Sequence, residues 1–470
     1  MRICKNDESK KSVLLVFLNI LFYMCFFIWA IGANRIDTLQ NLHRGLFPWV
    51  CFLIIIQIVS FRIKKISFYD FGFWYLILSY LFMFGLLFKD ILKLETTLLW
   101  EPISNYSSNE LFDAYIFVLT SLEAFSFGYC LFYKNKYALK KDSMDGIEPN
   151  KRMYNIGIIL LVVGGLCRII NDFQIVYVTR GANTYAAYSG AISSGLWDDL
   201  ACLVLPGVFF LFFCGLIDER KKRILFYVVL LYFVFIMLLT GSRKTQIFSI
   251  LSLFLGYDFS LEKKKKSIWK ICIYFILLVL LINIVIIIRE NRFDLATILP
   301  ALVENITSFN LFNDIIGETL AETGITFLSV ASIVKVVPSI FPFEYGITFL
   351  RTIPSFLPIG WLVGDFFEKA SSTYVINTYT KIPVGSSFIG DLYWNWGCLG
   401  GTIAAFLFGA IISWLLRVKH KKNVRVSYAA YFALFSQLIV LVRAELFDIF
   451  RPIIMMIFFI WVVKEFSKKR

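Results

Sequence analysis

The sequence predicts an all-α polytopic membrane protein, with about 12 transmembrane helices and a large external loop of short helices. Three observations carry this. Of 470 residues, 59% are hydrophobic and 18% aromatic, at a mean hydropathy of +0.73. No ordinary soluble domain has that composition. Apolar runs of about 17–23 residues recur, each long enough for a hydrocarbon core of roughly 30 Å. Finally, most of the 47 Lys and Arg fall in every second connection between those runs. Basic loops stay on the cytoplasmic side, so the alternation places both termini inside.

Taken in order, the first run, 12–33, reads as an uncleaved anchor rather than a signal peptide. Runs 46–61 and 67–88 flank the inner pair Lys64-Lys65. Run 113–133 leads into the basic stretch Lys134 to Arg152, which precedes 153–170. Run 196–217 ends before Arg220 to Arg223, and 224–240 and 245–259 form a hairpin with an outer turn. Lys263 to Lys266 precede 268–289. Run 397–417 precedes Arg417 to Arg425, and 428–442 and 452–466 close the chain before Lys468-Lys469-Arg470. Residues 1–470 thus read as one polytopic domain. The stretch 290–396 reads as external, and at about a hundred residues it is too long for a simple connection. Within it, Pro338, Pro342, Pro354 and Pro358 break two apolar segments, Gly317 to Val337 and Tyr345 to Val363, into short helices. Glu318, Glu322 and Ser329 share one face of the first. It reads as an amphipathic helix at the outer interface, or as a loop helix packed on its neighbours.

Composition excludes several classes. The net charge of +14 is explained by inner loops meeting anionic lipid headgroups, so nucleic acid is not implied. The nine cysteines mostly sit inside apolar runs without CxxC spacing and read as small core residues. Only two histidines, His43 and His420, are present, which leaves no multi-histidine metal site. No metal or cofactor is expected.

Basic residues on the outer side have no topological reason to be there, so they mark candidate chemistry. Arg168 sits just inside a span end, where it either snorkels or contacts an anion. Arg180 opens the loop that follows. The turn Thr240-Gly-Ser-Arg243-Lys244-Thr245 offers two cations beside a helix N-terminus, a good phosphate site. Arg289 marks the exit of the ninth run. The last outer turn holds Arg443, Glu445, Asp448 and Arg451. Several arginines at one membrane level suit a polyanion such as a diphosphate, because the planar guanidinium contacts phosphate bidentately. The stretch Gly385-Ser-Ser-Phe-Ile-Gly-Asp391-Leu-Tyr393-Trp394-Asn395-Trp-Gly397 leads into the tenth run. Its aromatics suit an interfacial belt or sugar stacking.

In these features the chain resembles the Wzy-type polymerases of O-antigen and capsular polysaccharide repeat units. The resemblance rests on the outer turn 240–244, on the Gly-Ser-Ser-x-x-Gly-Asp-x-Tyr-x-Asn-x-Gly pattern ending at Gly397, and on the layout of spans with a late external loop. Some relatives carry a spaced Arg–Gly pair in each of two external loops. Arg180 to Gly190 and Arg351 to Gly360 come close without matching it.

The resemblance implies a GT-C-like glycosyltransferase in the bacterial cytoplasmic membrane. Its substrates would be oligosaccharide repeat units on undecaprenyl diphosphate, joined on the outer face. A chain-length regulator (co-polymerase) and a flippase are implied partners. The diphosphate would leave as an acceptor hydroxyl attacks the anomeric carbon. Arginines would stabilise the departing charge, drawn from Arg243, Lys244, Arg289, Arg443, Arg180, Arg351 and Arg451. A carboxylate would take the hydroxyl proton: Asp391 first, then Glu322, Glu318 or Glu445. Tyr393, Trp394 and Asn395 would hold the sugar. Two alternatives stay open. A lipid-linked oligosaccharide flippase would show two similar halves, and an O-antigen ligase would carry an external histidine.

Overall fold

A computed structural model describes residues 2–33, 38–94, 102–140, 148–182, 196–240, 244–261, 283–284, 300, 303, 311–357, 366–367, 369–380, 385–418 and 424–466. Among these residues every regular element is helical. Among the described residues, nine helices are long and apolar enough to cross a membrane.

The first four helices are α1 (Arg2–Gly32), α2 (Leu39–Lys64), α3 (Phe71–Ile91) and α4 (Ser108–Phe132). Their starts follow from local chemistry. Thr38 and Asp70 accept the free amides that open α2 and α3. A Ser107–Glu110 capping box opens α4. The long α5 (Lys151–Ala182) follows. Next come the short α6 (Leu196–Ala201) and α7 (Val204–Phe213), which divide the predicted run 196–217 in two at Cys202-Leu203. The hairpin α8 (Glu219–Thr240) and α9 (Lys244–Ser260) matches its prediction. The predicted run 268–289 lies outside the described residues, except for 283–284. After it come α10 (Leu311–Gly324), α11 (Phe327–Val336), α12 (Ile347–Thr352), α13 (Ser372–Tyr379), α14 (Phe388–Leu415), α15 (Val424–Leu438) and α16 (Leu446–Phe466).

Helices surrounded by lipid gain little from burying apolar groups against one another, so close backbone packing matters more. Glycines provide it here. A Cβ on Gly128 of α4 would fall 2.1 Å from the Phe406 carbonyl oxygen of α14. One on Gly409 would fall 2.2 Å from the Phe125 oxygen. Helices α4 and α14 therefore touch backbone to backbone along a glycine seam.

The same device decides between the two readings of Gly317 to Val337. Ile315–Val336 is a helix long and apolar enough to span, and most of it is buried. Gly324 meets Gly85 and Leu86 of α3 backbone to backbone. Glu318 and Glu322 are only 6% and 8% exposed. Of the two readings, the helix packed on its neighbours holds, because small residues let it approach α3 closely.

The connections gather at two ends. At one end, Asn150 N–H donates to the Cys214 carbonyl (2.8 Å), Val418 N–H to Tyr137 O (3.2 Å) and Tyr428 hydroxyl to Lys140 O (2.7 Å). Lys222 Nζ donates to Ser260 O (3.2 Å) and Arg425 to Phe213 O (3.3 Å). Loops that the basic alternation assigned to one side are thus joined by direct hydrogen bonds. At the other end, Lys335 of α11 reaches Asn105 O (2.7 Å), just before α4. The site lies at this second end.

Candidate functional site

Two buried carboxyls from different helices meet at one serine hydroxyl. Asp391 stands in the first turn of α14 and is 4% exposed. Glu445 stands just before α16 and is 3% exposed. Ser372 Oγ lies 2.8 Å from Glu445 Oε2 and also donates toward Asp391 Oδ1. Ser371 Oγ donates to Glu445 Oε1 at 2.7 Å, and the Thr373 amide to Oε2 at 3.1 Å. The Leu446 amide donates to Asp391 Oδ2 at 2.9 Å. A serine has a single hydroxyl proton. Ser372 can therefore donate to only one of the two acids at a time.

Local sequence explains the placement. Ser371 caps α13, accepting from the Tyr374 amide at 3.2 Å. Glu445 therefore sits at the N-terminus of α13, where free amides and the helix dipole favour negative charge. Asp391 occupies the same kind of position at the N-terminus of α16. Burial, and then the neighbouring charge of Asp448, push the Glu445 carboxyl above the usual glutamate range. No group of three or more metal-ligating side chains occurs among the described residues.

The Gly385–Gly397 motif now reads residue by residue. Ser387 caps α14 and accepts the Gly390 amide at 3.3 Å. Ser386 stands beside Ser372. Asn395 is fully engaged: it donates to the Asp391 carbonyl (2.8 Å) and accepts from the Gly346 amide (2.8 Å) and Thr348 hydroxyl (3.0 Å). It ties the 344–348 turn to α14. Trp394 is 2% exposed. Tyr393 is half-buried against Phe117, with ring centroids 5.0 Å apart. Of the three residues read as sugar contacts, Tyr393 has the most accessible side chain. Gly397 takes φ +65° and ψ −164° inside α14, a conformation open only to glycine, and the kink sets the direction of the turn bearing Asp391. A Cβ there would also fall 3.0 Å from the Phe343 ring. Gly397→Ala is expected to cost about 1–3 kcal/mol. A fall in Tm of the purified protein would show it, and an unchanged Tm would show that the kink is not required.

The cations divide. Arg451 is engaged with Asp199 of α6 at 2.6 Å. Arg351 holds Glu344 at 3.1 Å and the Lys369 carbonyl at 3.2 Å. It therefore braces the segment leading to Ser371 and Ser372. Arg443 lies two residues before Glu445, its guanidinium 5.8 Å from the Phe82 ring centroid. No carboxylate among the described residues pairs with it. Arg168 pairs with Asp172 at 2.6 Å rather than snorkelling. Tyr232 hydroxyl donates to the same Asp172 at 2.7 Å. Arg243 and Arg289 lie outside the described residues, and Lys244 and Arg180 are described in backbone only. Glu318 and Glu322 are buried on α10.

Sequence reasoning missed Ser371, Ser372 and Thr373. Their signal was present: a Ser-Ser-Thr run ahead of an apolar segment is a helix N-cap pattern. Nothing local says that two distant acids meet there.

Compared with known proteins, the chain matches the family model described as O-antigen polysaccharide polymerase Wzy over residues 14–469. No curated protein and no solved structure matches it.

Proposed function

Since the chain belongs to the O-antigen polysaccharide polymerase Wzy family, we propose that the Asp391–Ser372–Glu445 cluster is where it joins lipid-linked repeat units. The observation that carries this reading is the meeting of two acids on one hydroxyl, at the end of the bundle opposite the basic loops. The donor is a glycan on undecaprenyl diphosphate, and the acceptor is a sugar hydroxyl of a second lipid-linked unit. That hydroxyl attacks the anomeric carbon as the bond to diphosphate breaks. Asp391 takes the acceptor proton and Ser372 connects it to Glu445, so the pair buffers that proton. Arg443, with Arg243 and Arg289, faces the departing diphosphate. Preorganised positive charge stabilises a leaving anion most where water is excluded.

The expected setting is the bacterial cytoplasmic membrane, with about 12 spans, both termini inside and the site outside. A GT-C-like glycosyltransferase is the expected architecture. A flippase and a chain-length regulator are the expected partners. O-antigen and capsule repeat units are both candidate substrates.

Purified protein supplied with lipid-linked repeat units should produce a ladder of longer glycans. Transfer of the lipid across vesicles without a ladder would instead support the transporter reading, and transfer of finished chains to another lipid the ligase. An impermeant thiol reagent on intact cells should label a cysteine placed at 345 and spare one placed at 137. The reverse pattern would invert the topology.

Glu445 also gives a pH signature. Its pKa is raised on folding, so its contribution to stability is complete below the unfolded value of about 4.3. That contribution is lost as pH rises through the folded value. Glu445→Gln should therefore flatten the fall of Tm with rising pH. An unaltered Tm–pH curve would show that Glu445 does not titrate differently in the folded state.

A further inference from the structure

The segment 347–357, beside the candidate site, has its polarity reversed. It comprises α12 and the 3₁₀ turn Ile353–Phe356 that follows. Ile347, Leu350, Ile353, Phe356 and Leu357 are exposed, Leu350 at 65%. The hydroxyl residues between them are buried: Thr348, Thr352 and Ser355 are 2%, 1% and 6% exposed. All three are satisfied within the protein. The Thr348 hydroxyl donates to Asn395 Oδ1 (3.0 Å), Thr352 to the Thr348 carbonyl (2.9 Å) and Ser355 to the Thr352 carbonyl (2.6 Å). Arg351, the only charged residue in the segment, reaches back to Glu344 and the Lys369 carbonyl. A surface helix in water shows the opposite arrangement, with its polar face out and its apolar stripe in. An outward apolar face of this kind marks a contact with something apolar.

The surroundings identify that contact as hydrocarbon. The Phe349 ring centroid lies 5.3 Å from that of Trp396 in α14. Three residues further along α14 begins a row of exposed side chains, Leu399, Ile403 and Leu407, on a helix long and apolar enough to cross a membrane. The exposed face of 347–357 thus adjoins the outer end of a lipid-facing stripe. The 6 residues of α12 rise only about 9 Å, against a hydrocarbon core of roughly 30 Å, so the helix cannot cross. A short helix with one apolar face settles at the membrane boundary, that face among the acyl chains. Here the protein, rather than water, takes the polar face.

We propose that 347–357 is an in-plane membrane anchor, with Ile347, Leu350, Ile353, Phe356 and Leu357 sunk in the acyl chains of the leaflet at the Asp391 end of the bundle. The anchor sets the depth of the candidate site. Asn395 ties Thr348 and the Gly346 amide to the turn of α14 that bears Asp391. The segment also packs against α16, whose first amide holds Asp391. The two acids are therefore held at the lipid boundary, the level at which the phosphates of a lipid-anchored molecule lie. The anchor does not depend on the polymerase reading.

The test uses the full-length protein in vesicles of phosphatidylethanolamine and phosphatidylglycerol. The photoreactive residue p-benzoylphenylalanine is placed at Leu350 or at Ile353, where exposed side chains leave room for it. On irradiation it inserts into nearby C–H bonds, and mass spectrometry identifies the adduct. Leu407 in α14 is the acyl-chain reference, and Asn109, exposed at the start of α4, is the aqueous one. Phospholipid adducts at 350 and 353 should match those at 407 and exceed those at 109 several-fold. If neither variant folds, wild-type protein in vesicles containing a phospholipid with a diazirine in its acyl chain gives the same reading without substitution. Peptides covering 347–357 should then carry lipid, as those covering 399–407 do. Adducts to another segment of the same chain, adducts joining two copies, or lipid labelling at 350 and 353 no greater than at 109 would each overturn the proposal. Unlabelled 347–357 peptides beside labelled 399–407 peptides would do the same.

Discussion

Purified Asp391→Asn protein is expected to elongate lipid-linked repeat units roughly 10²–10⁴-fold more slowly than wild type, the usual contribution of a general base. Asparagine is nearly isosteric with aspartate. It keeps an oxygen for the Leu446 amide, which now sits 2.9 Å from Asp391 Oδ2. What it cannot do is take a proton from an attacking hydroxyl. Cells carrying this variant should accumulate single capped units in place of polymer. The competing account is that Asp391 only caps α16 and holds Ser372, since those contacts alone would justify a buried acid. The two accounts predict different things. Structural loss lowers Tm and donor binding together, whereas catalytic loss leaves both intact while turnover vanishes. Near-normal turnover by a stable Asp391→Asn protein would end the proposal. Attention would then pass to Glu322 and Glu318.

Arg443→Ala should slow polymerisation by about ten- to a hundredfold. A charge-assisted hydrogen bond is worth roughly 1.5–3 kcal/mol, and that loss falls on the transition state if the guanidinium faces the departing diphosphate. The choice of Arg443 is structural. Arg451 and Arg351 already hold carboxylates at 2.6 and 3.1 Å, so removing either leaves a buried or half-buried acid unpaired and confounds the result. Arg443 has no such partner among the described residues. Arg443→Lys should restore little activity, because an ammonium lacks the planar fork that spans two phosphate oxygens. Full-length polymer made at the normal rate by Arg443→Ala would leave that arginine a structural neighbour of Phe82.

Sequence reading reached Asp391 and Glu445 by different routes, and neither route linked them. Asp391 stood out as an acid among glycines and aromatics, and Glu445 as one acid in an outer turn with arginines. Arg451 was read as a phosphate contact from its place in the last outer turn, and Arg351 from the family resemblance. Which acid each would meet depends on helices far away in the chain, so a local reading left both available. Asn395 and Trp394 looked like sugar contacts because polar and aromatic residues near a membrane boundary often are. In the folded chain Asn395 fastens the 344–348 turn, a role that requires knowing where that turn lies.

The sequence by itself determined the helical class, most span positions and the grouping of basic loops at one end. Those are local or additive properties: apolar length must match bilayer thickness, and each basic loop meets the same field wherever its helices pack. Tertiary structure alone decided that Ile315–Val336 enters the bundle and that Ser372 bridges two acids. It also decided which cations are already paired. Each of these depends on contacts between residues far apart in sequence. The approach of Gly324 to Gly85, or of Glu445 to Ser372, is set by how whole helices pack, and no window along the chain records it.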